Sequence, residues 1–278
     1  MLPSALSRRW LYRYPLLVRV THWVNVLCLA ILLMSGLQIF NAHPALYWGE
    51  ESDFARPVLS IYSAHTAAGR PVGVTRVFGR NFETTGVLGW SELNGRPMPR
   101  AFPGWMTLPS AQDLATGRVW HLFFAWLFVT NGVVYVGHSL GSRRLSRELL
   151  PKREQWKRIG STLRDHLGLR IGGEADAARY NIVQKLAYLI VILAIAPLVV
   201  LSGLTMSPAL NAAAPWLLDV FGGRQSARTI HFVMTWLLVL FVVVHVVMVL
   251  VSGFLNNMRS MTTGWFAVAG EASGHDER

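Results

Sequence analysis

Four long apolar stretches constrain the fold of this chain more than any other feature of its sequence. They cover about residues 16–40, 118–138, 181–206 and 228–254. Each reaches the roughly 20 residues that an α-helix, rising about 1.5 Å per residue, needs to cross a ~30 Å hydrocarbon core. A chain in lipid must satisfy its own backbone hydrogen bonds, so such stretches form helices. The sequence therefore predicts an all-α integral membrane protein, with one four-helix bundle domain over residues 1–278.

A proline interrupts the third stretch. Pro197 has no N–H, so it removes one helical hydrogen bond and leaves a carbonyl without its usual partner. Neighbouring helices can satisfy such a carbonyl inside a membrane bundle. We therefore expect a kinked but continuous span.

The distribution of charge predicts how the spans are oriented. The net charge is +11, and the loop 139–180 carries ten Lys and Arg residues against five acidic ones. Lys and Arg collect in the cytoplasmic loops of membrane proteins. We therefore expect loop 139–180 and both termini to be cytoplasmic, and loop 41–117 to be periplasmic. This topology also accounts for the positive charge, so the charge no longer argues for a nucleic-acid-binding protein.

The cysteine content excludes several kinds of redox centre. Cys28 is the single cysteine, and it lies inside the first stretch. One cysteine cannot build an intrachain disulfide, an iron–sulfur cluster or a Cys-rich zinc site. The sequence has no Cys-x-x-Cys-His motif, so covalently attached haem is excluded as well. A haem in this chain would be bound non-covalently, through His or Met.

Histidines inside the apolar stretches are the strongest functional signal. Nine histidines occur, and five of them lie within the stretches: His22, His121, His138, His231 and His245. Ionisable residues at membrane depth are costly and usually face the interior of the bundle. His231 and His245 are 14 residues apart, which corresponds to about 21 Å of rise and directions within about 40° of each other. One helix thus presents two imidazoles on one face at two depths, as two stacked haems require.

The depth of each histidine in the membrane predicts which residues are the axial ligands of two non-covalent b haems. His121 and His231 lie near the periplasmic ends of their spans and are predicted to bind the outer haem. His22, near the cytoplasmic end of the first span, is level with His245, and these two are predicted to bind the inner haem. His138 is the alternative to His22, but it points about 100° away from His121, so a propionate or a quinone headgroup is its other predicted contact. The remaining histidines are expected on the solvated surface: His43, His65, His166 and His275.

An arginine precedes three of these histidines by three residues. The pairs are Arg19 with His22, Arg118 with His121, and Arg228 with His231. Residues three apart share one helix face, so each guanidinium can pair with a haem propionate while the histidine binds iron. Snorkelling of arginine at span ends explains the same positions, and both interpretations stay open.

Three glycines within the spans fit the same hypothesis. Gly36, Gly132 and Gly203 each lie inside one of the stretches. A glycine lets a flat macrocycle approach the helix backbone, although small residues also serve helix packing.

Polar residues at the cytoplasmic end of the third span predict a quinone site. Asn181, Gln184, Lys185 and Tyr188 follow one helix face. Hydrogen-bond donors beside the inner haem would suit the two oxygens of a quinone headgroup. Anchoring at the membrane interface explains the same residues, so the quinone site is a hypothesis.

The loop 41–117 is too long to be a simple connection. It is rich in Gly, Pro and aromatic residues, looks ordered, and holds no clear helix of its own. Loops of this length are more often functional than idle. We expect it to dock a periplasmic redox protein or to form a lid. The alternative is a packed cap without a partner.

The histidine pattern resembles that of the bacterial cytochrome b561 and nickel–iron-hydrogenase cytochrome b family. The shared features are His22-Trp23, Arg118-x-x-His121, Tyr180-Asn181 with Gln184-Lys185, and the His231 and His245 pair. The resemblance covers the four spans. It implies two b haems in the bacterial inner membrane that connect the quinone pool to a periplasmic or membrane-facing oxidoreductase.

Two further segments resemble one branch of that family, the thiosulfate-reductase-type cytochrome b subunits. They are Trp105–His121 and Leu149-Leu150-Pro151. This resemblance implies a periplasmic oxidoreductase that contains molybdopterin as the partner. A stand-alone superoxide:quinone oxidoreductase is the alternative within the family. A haem-free transporter is disfavoured, because the histidine depths match in pairs and the spans show no inverted repeat.

Overall fold

The computed structural model describes residues 8–143, 150–151, 153–156, 160, 164 and 182–269. Within these residues the chain is mostly helical, and four helices are long and apolar enough to cross a membrane. They are α1 (Leu16–Asn41), α2 (Leu114–Gly141), α3 (Ile182–Thr205) and α6 (Arg224–Val251). Four shorter helical pieces accompany them: a single turn at Arg153–Trp156, α4 (Pro208–Ala213), α5 (Trp216–Phe221) and α7 (Phe254–Thr263).

Local signals account for the ends of the spans. α2 begins at Leu114, four residues before the predicted start, because the Asp113 carboxylate accepts a hydrogen bond from the Thr116 amide and caps the helix. α6 ends at Val251, and Gly253, with φ of 102°, breaks the chain before α7 begins at Phe254. The helix therefore ends three residues before the predicted end of the fourth span, at about residue 254.

The third span is continuous, as predicted, but it is not a regular α-helix. A π-helical turn at Val191–Ile195 separates Ile182–Ile190 from Ala196–Thr205. Pro197 stands at the start of the second segment, where it donates no N–H to the preceding turn. The wider turn adjusts the hydrogen-bond register at the proline.

The prediction of an all-α protein is wrong for the loop between α1 and α2, which folds into small antiparallel sheets. Four strands pair in the order β2-β3-β4-β5, and β6 and β7 form a separate hairpin. The bounds are β2 (Ala45–Leu46), β3 (Leu59–His65), β4 (Pro71–Val77), β5 (Arg80–Glu83), β6 (Trp90–Leu93) and β7 (Arg96–Pro99). The loop has one helical element among the described residues, a 3-10 turn at Gly104–Met106. Apolar residues alternate at Leu59 and Ile61 of β3 and at Val72 and Val74 of β4, and a period of two residues is typical of strands rather than helices.

Two tight turns close these hairpins. Phe78-Gly79 connects β4 to β5, and Asn94-Gly95 connects β6 to β7. All four residues have positive φ, between 46° and 82°. Two residues with positive φ match the twist of paired strands, and Asn-Gly is the favoured sequence for such a turn.

An apolar core joins the sheet to the end of α1. Its buried side chains are Leu37, Phe40, Leu46, Ile61, Ala101 and Phe102. Asn41 adds two hydrogen bonds to the Phe102 backbone, at 2.8 and 3.3 Å. The sheet is thus fixed to the first span by burial and by paired polar groups.

The two ends of the described chain form another small sheet. β1 (Arg8–Tyr12) pairs in antiparallel register with β8 (Trp265–Ala269). The Arg259 guanidinium of α7 lies 4.3 Å from the centre of the Trp10 ring.

The chain divides into two compact units, and each draws on all four spans. One comprises Met1–Trp23, Gly132–Ala194 and Leu238–Arg278, and the other comprises Val24–Asn131 and Ile195–Leu237. Each unit contains one of the predicted histidine pairs.

Candidate functional site

His121 of α2 and His231 of α6 face each other. Their ring centres lie 6.2 Å apart, and the ring planes are inclined by 66°. Both side chains are half-buried. The structure therefore brings together the two histidines that the sequence predicted to lie at the same depth in the membrane.

Hydrogen bonds determine which nitrogen of His231 carries the proton. Its Nδ1 lies 2.9 Å from the Val199 carbonyl oxygen and 3.3 Å from Ser202 Oγ. A carbonyl oxygen only accepts, so Nδ1 must be the protonated nitrogen. The Ser202 hydroxyl donates to the Leu198 carbonyl at 2.5 Å, which leaves its oxygen to accept as well. Nε2 of His231 therefore keeps its lone pair for a metal.

His121 has a corresponding serine partner on α1. Its Nδ1 lies 3.1 Å from Ser35 Oγ. The Ser35 hydroxyl donates to the Ile31 carbonyl at 2.6 Å, so its oxygen accepts from Nδ1. Such bonds to the far nitrogen of a ligating histidine fix the tautomer and the ring orientation.

A glycine next to each serine lies against the same ring. A Cβ atom on Gly36 would lie 3.3 Å from His121 Cε1, and one on Gly203 would lie 3.2 Å from His231 Cε1. The sequence pattern indicated a functional role for these two glycines, but Ser35 and Ser202 were not predicted as site residues. A repeated motif could have identified the two serines, because Ser-Gly-Leu occurs at residues 35–37 and again at 202–204.

His22 of α1 and His245 of α6 form the second pair, within the other unit. Their ring centres lie 6.4 Å apart, and the planes are inclined by 57°. Phe241 stacks on His245 at 5.9 Å, and Trp23 meets His22 edge to face at 5.3 Å. Nδ1 of His22 is buried without a hydrogen-bond partner among the described residues, in contrast to the Nδ1 atoms of His121 and His231.

Both separations fit an iron bound between two imidazoles. An iron–imidazole bond is about 2 Å long and the ring centre lies about 1.1 Å beyond the nitrogen, so two imidazoles that bound one iron would have their ring centres up to about 6.2 Å apart. The observed distances are 6.2 and 6.4 Å. The free Nε2 of His231 supplies the donor that haem iron needs. The residues present therefore fit haem, and a haem bound there would supply one-electron chemistry.

Comparison with known proteins decides the family. The family model for prokaryotic cytochrome b561 matches residues 13–264. The chain belongs to the prokaryotic cytochrome b561 family. YedZ1 of Azospira oryzae, whose name assigns it to a protein-methionine-sulfoxide reductase as a subunit, is 28% identical to this cytochrome over 236 residues, or 85% of this chain and 89% of YedZ1. No solved structure matches the chain.

Family membership and the four apolar helices together establish the class of protein. This cytochrome is a multi-pass protein of the bacterial inner membrane and a haem b electron-transfer subunit. The assignment of individual residues as ligands stays a prediction.

Of the residues predicted for the quinone site, Tyr188 lies next to the second histidine pair. Tyr188 lies 6.4 Å from His245, measured between ring centres, and the buried Lys185 donates to the Leu150 carbonyl at 3.4 Å. Gln184 stands on the same helix, one residue before Lys185. His138 lies in the last turn of α2, where its carbonyl accepts a hydrogen bond from Ser142. Asn181 lies outside the described residues.

The three arginines of the repeated motif have different surroundings in the cytochrome. Arg228 donates to the backbone carbonyls of Ala45, at 2.9 Å, and His43, and so holds the start of the loop. Arg19 donates to the Thr262 carbonyl at the end of α7. The Arg118 side chain is exposed. The three guanidinium groups therefore have different surroundings among the described residues, and their pairing with haem propionates stays a prediction.

Proposed function

We propose that this cytochrome carries electrons across the membrane through two b haems. His121 and His231 would hold one haem, and His22 and His245 the other. The observation that carries the proposal is the presence of two imidazole pairs, each with the spacing that one iron requires. We further propose that both termini are cytoplasmic, as the charge distribution predicts, so that His121 and His231 hold the outer haem.

A quinone is the proposed electron carrier at the inner haem. Tyr188, Gln184 and Lys185 offer hydrogen-bonding groups on one helix, and Tyr188 is adjacent to His245. Asn181 continues this face by sequence, and His138 is a second candidate for the headgroup. Apolar surroundings with a few polar groups are the usual form of a small-molecule site.

A periplasmic redox protein is the proposed partner on the other side, docking on loop 41–117. This loop exposes large aromatic side chains between and beside its strands, among them Phe54, Phe78 and Trp105. Exposed aromatic residues are typical anchors of protein interfaces. The name of the relative YedZ1 supports an oxidoreductase that reduces methionine sulfoxide in proteins, and the family resemblance supports a molybdopterin enzyme.

Haem stoichiometry and a redox titration of the purified protein test the haem assignment. We expect two b haems per chain and two reductive steps. His231→Ala and His121→Ala should each remove one haem and leave the other, because each deletes one axial ligand of a single site. His245→Ala should remove the complementary haem. Retention of both haems in His245→Ala would contradict the assignment of the inner site.

Co-purification separates this proposal from its alternative, a stand-alone superoxide:quinone oxidoreductase. A soluble subunit with its own redox cofactor, retained after gentle solubilisation and lost with changes in loop 41–117, would support the electron-transfer subunit. Reduction of quinone by superoxide with the isolated chain would support the alternative.

A further inference from the structure

Arg100 is a buried guanidinium in which one nitrogen, Nη1, makes no hydrogen bond to the described residues. It lies after β7 and is 4% exposed. Its Nε donates to the Phe102 carbonyl at 2.7 Å, and its Nη2 donates to Gln38 Oε1 at 3.0 Å and to Thr107 Oγ1 at 2.6 Å. Nη1 is buried and has no hydrogen-bond partner among the described residues.

The positive charge of Arg100 has no anion beside it in the described part of the chain. The ion pairs found there are Arg56 with Asp53 and Arg70 with Glu83, both at the surface. Burial lowers the pKa of Arg100, but a guanidinium stays charged at neutral pH. A buried charge is costly unless an opposite charge and hydrogen bonds compensate it. The unused Nη1 therefore points to an anion that the described residues do not supply.

Arg100 lies close to the first histidine pair. Its partner Gln38 stands three residues after Ser35 on α1, on the same face and one turn nearer the loop. Ser35 contacts the His121 ring. Gly117, one turn before His121, also faces this glutamine, because a Cβ atom there would lie 3.0 Å from Gln38 Cγ. The guanidinium thus lies at the loop end of the contact between α1 and α2 that positions His121.

We propose that Arg100 Nη1 binds a propionate of the haem held by His121 and His231. A propionate is the anion that a haem brings to this place, and a guanidinium binds a carboxylate by charge-assisted hydrogen bonds. The arginines of the repeated motif fit this role less well, since Arg228 donates to two backbone carbonyls and Arg118 is exposed. The inference rests on the proposed function, because it needs a haem between His121 and His231.

Spectroelectrochemical titration of the purified full chain at several pH values tests the proposal. Arg100→Gln should lower the midpoint potential of the haem whose step is lost in His231→Ala, because removing a nearby positive charge favours the ferric state. The same potential should vary more steeply with pH near neutrality, since a propionate without its cation binds a proton more tightly. Arg100→Lys keeps the charge and should shift both properties less.

Thr107→Val is the matched control, because it removes a hydrogen bond of Arg100 and keeps the charge. It should leave the pH dependence of the potential as in the wild type. If Arg100→Gln and Arg100→Lys both give the wild-type potential and pH dependence, or if Thr107→Val reproduces the change seen in Arg100→Gln, the propionate contact is wrong and Arg100 only supports the loop. A wild-type protein without a haem step that depends on His231 would instead refute the proposed function.

Discussion

Two glycines carry a steric requirement that the histidines alone do not reveal. Gly36 and Gly203 stand where a methyl group would lie 3.3 and 3.2 Å from the imidazole carbons of His121 and His231. Nδ1 of His121 is held by Ser35, and Nδ1 of His231 is held by Ser202 and the Val199 carbonyl, so both rings have little freedom to move away. The position of each imidazole is therefore set by a serine and a glycine of the neighbouring helix.

Replacing these glycines should weaken one haem site selectively. Gly36→Ala and Gly203→Ala are expected to lower the haem-to-protein ratio from about two toward about one, because the displaced imidazole no longer aligns with iron. Gly137→Ala is the control, since nothing lies within 4 Å of a Cβ atom at that exposed position. If both variants keep the wild-type haem content and redox titration, the imidazoles of His121 and His231 can move away from the added methyl group, and the steric requirement is excluded.

His43 illustrates how a surface prediction fails at a single residue. Its sequence position in the loop indicated a solvated side chain. The structure instead packs its ring against Tyr47 and Phe54, at 5.8 and 6.1 Å between ring centres, and buries its Nε2 without a partner among the described residues. Burial, and next the charge of Arg228, lower the pKa of His43 below 6.5.

The depressed pKa of His43 predicts that the start of the loop weakens in acid. Below pH 6.5 the unfolded segment binds a proton that the folded segment resists, so stability falls as the pH drops from about 6.5 through the folded pKa. Amide hydrogen exchange at Ala45–Tyr47 should speed up between about pH 7 and about pH 5, after correction for the intrinsic rate. His43→Gln should remove this extra dependence. A pH profile identical in the wild type and the variant would exclude His43 as its source.

At the scale of elements, the hairpin between β4 and β5 combines backbone strain with an exposed aromatic tip. Phe78 has φ of 46° and is 78% exposed. The corresponding position of the hairpin between β6 and β7 is Asn94, which adopts φ of 52° at much lower cost. A bulky residue kept in this conformation and left in solvent indicates a role outside the fold itself.

Phe78→Asn should therefore have opposite effects on stability and on partner binding. It gives both hairpins the favoured Asn-Gly turn and should stabilise the sheet by roughly 1 kcal/mol, measured by thermal unfolding in detergent. Electron transfer to or from the proposed periplasmic partner should slow, because an exposed aromatic side chain that could anchor the partner is lost. Phe82→Ser removes an exposed ring at a position without positive φ. It therefore separates the effect of losing an aromatic side chain from the effect of relieving backbone strain. Unchanged transfer in Phe78→Asn would exclude the tip from the docking surface.

Elements differed in how well the sequence predicted them. The four spans were predicted nearly to their ends, because lipid forces every long apolar stretch into a helix whatever its neighbours are. The strands of loop 41–117 were not predicted, although Asn94-Gly95 is a dipeptide typical of a hairpin turn. Short strands depend on their partners for stability, so their own sequence carries a weak signal.

At the scale of the whole molecule, the sequence alone determined the membrane class and the two histidine pairs. Hydropathy and helical periodicity are local properties, and 14 residues on one helix fix two imidazoles on one face without knowledge of the other helices. The tertiary structure decided what surrounds them. Ser35 and His121 are 86 residues apart, and Gln38 and Arg100 are 62 residues apart. Such contacts depend on how the helices and the loop pack, because a hydrogen bond forms only where packing brings donor and acceptor within about 3 Å of each other.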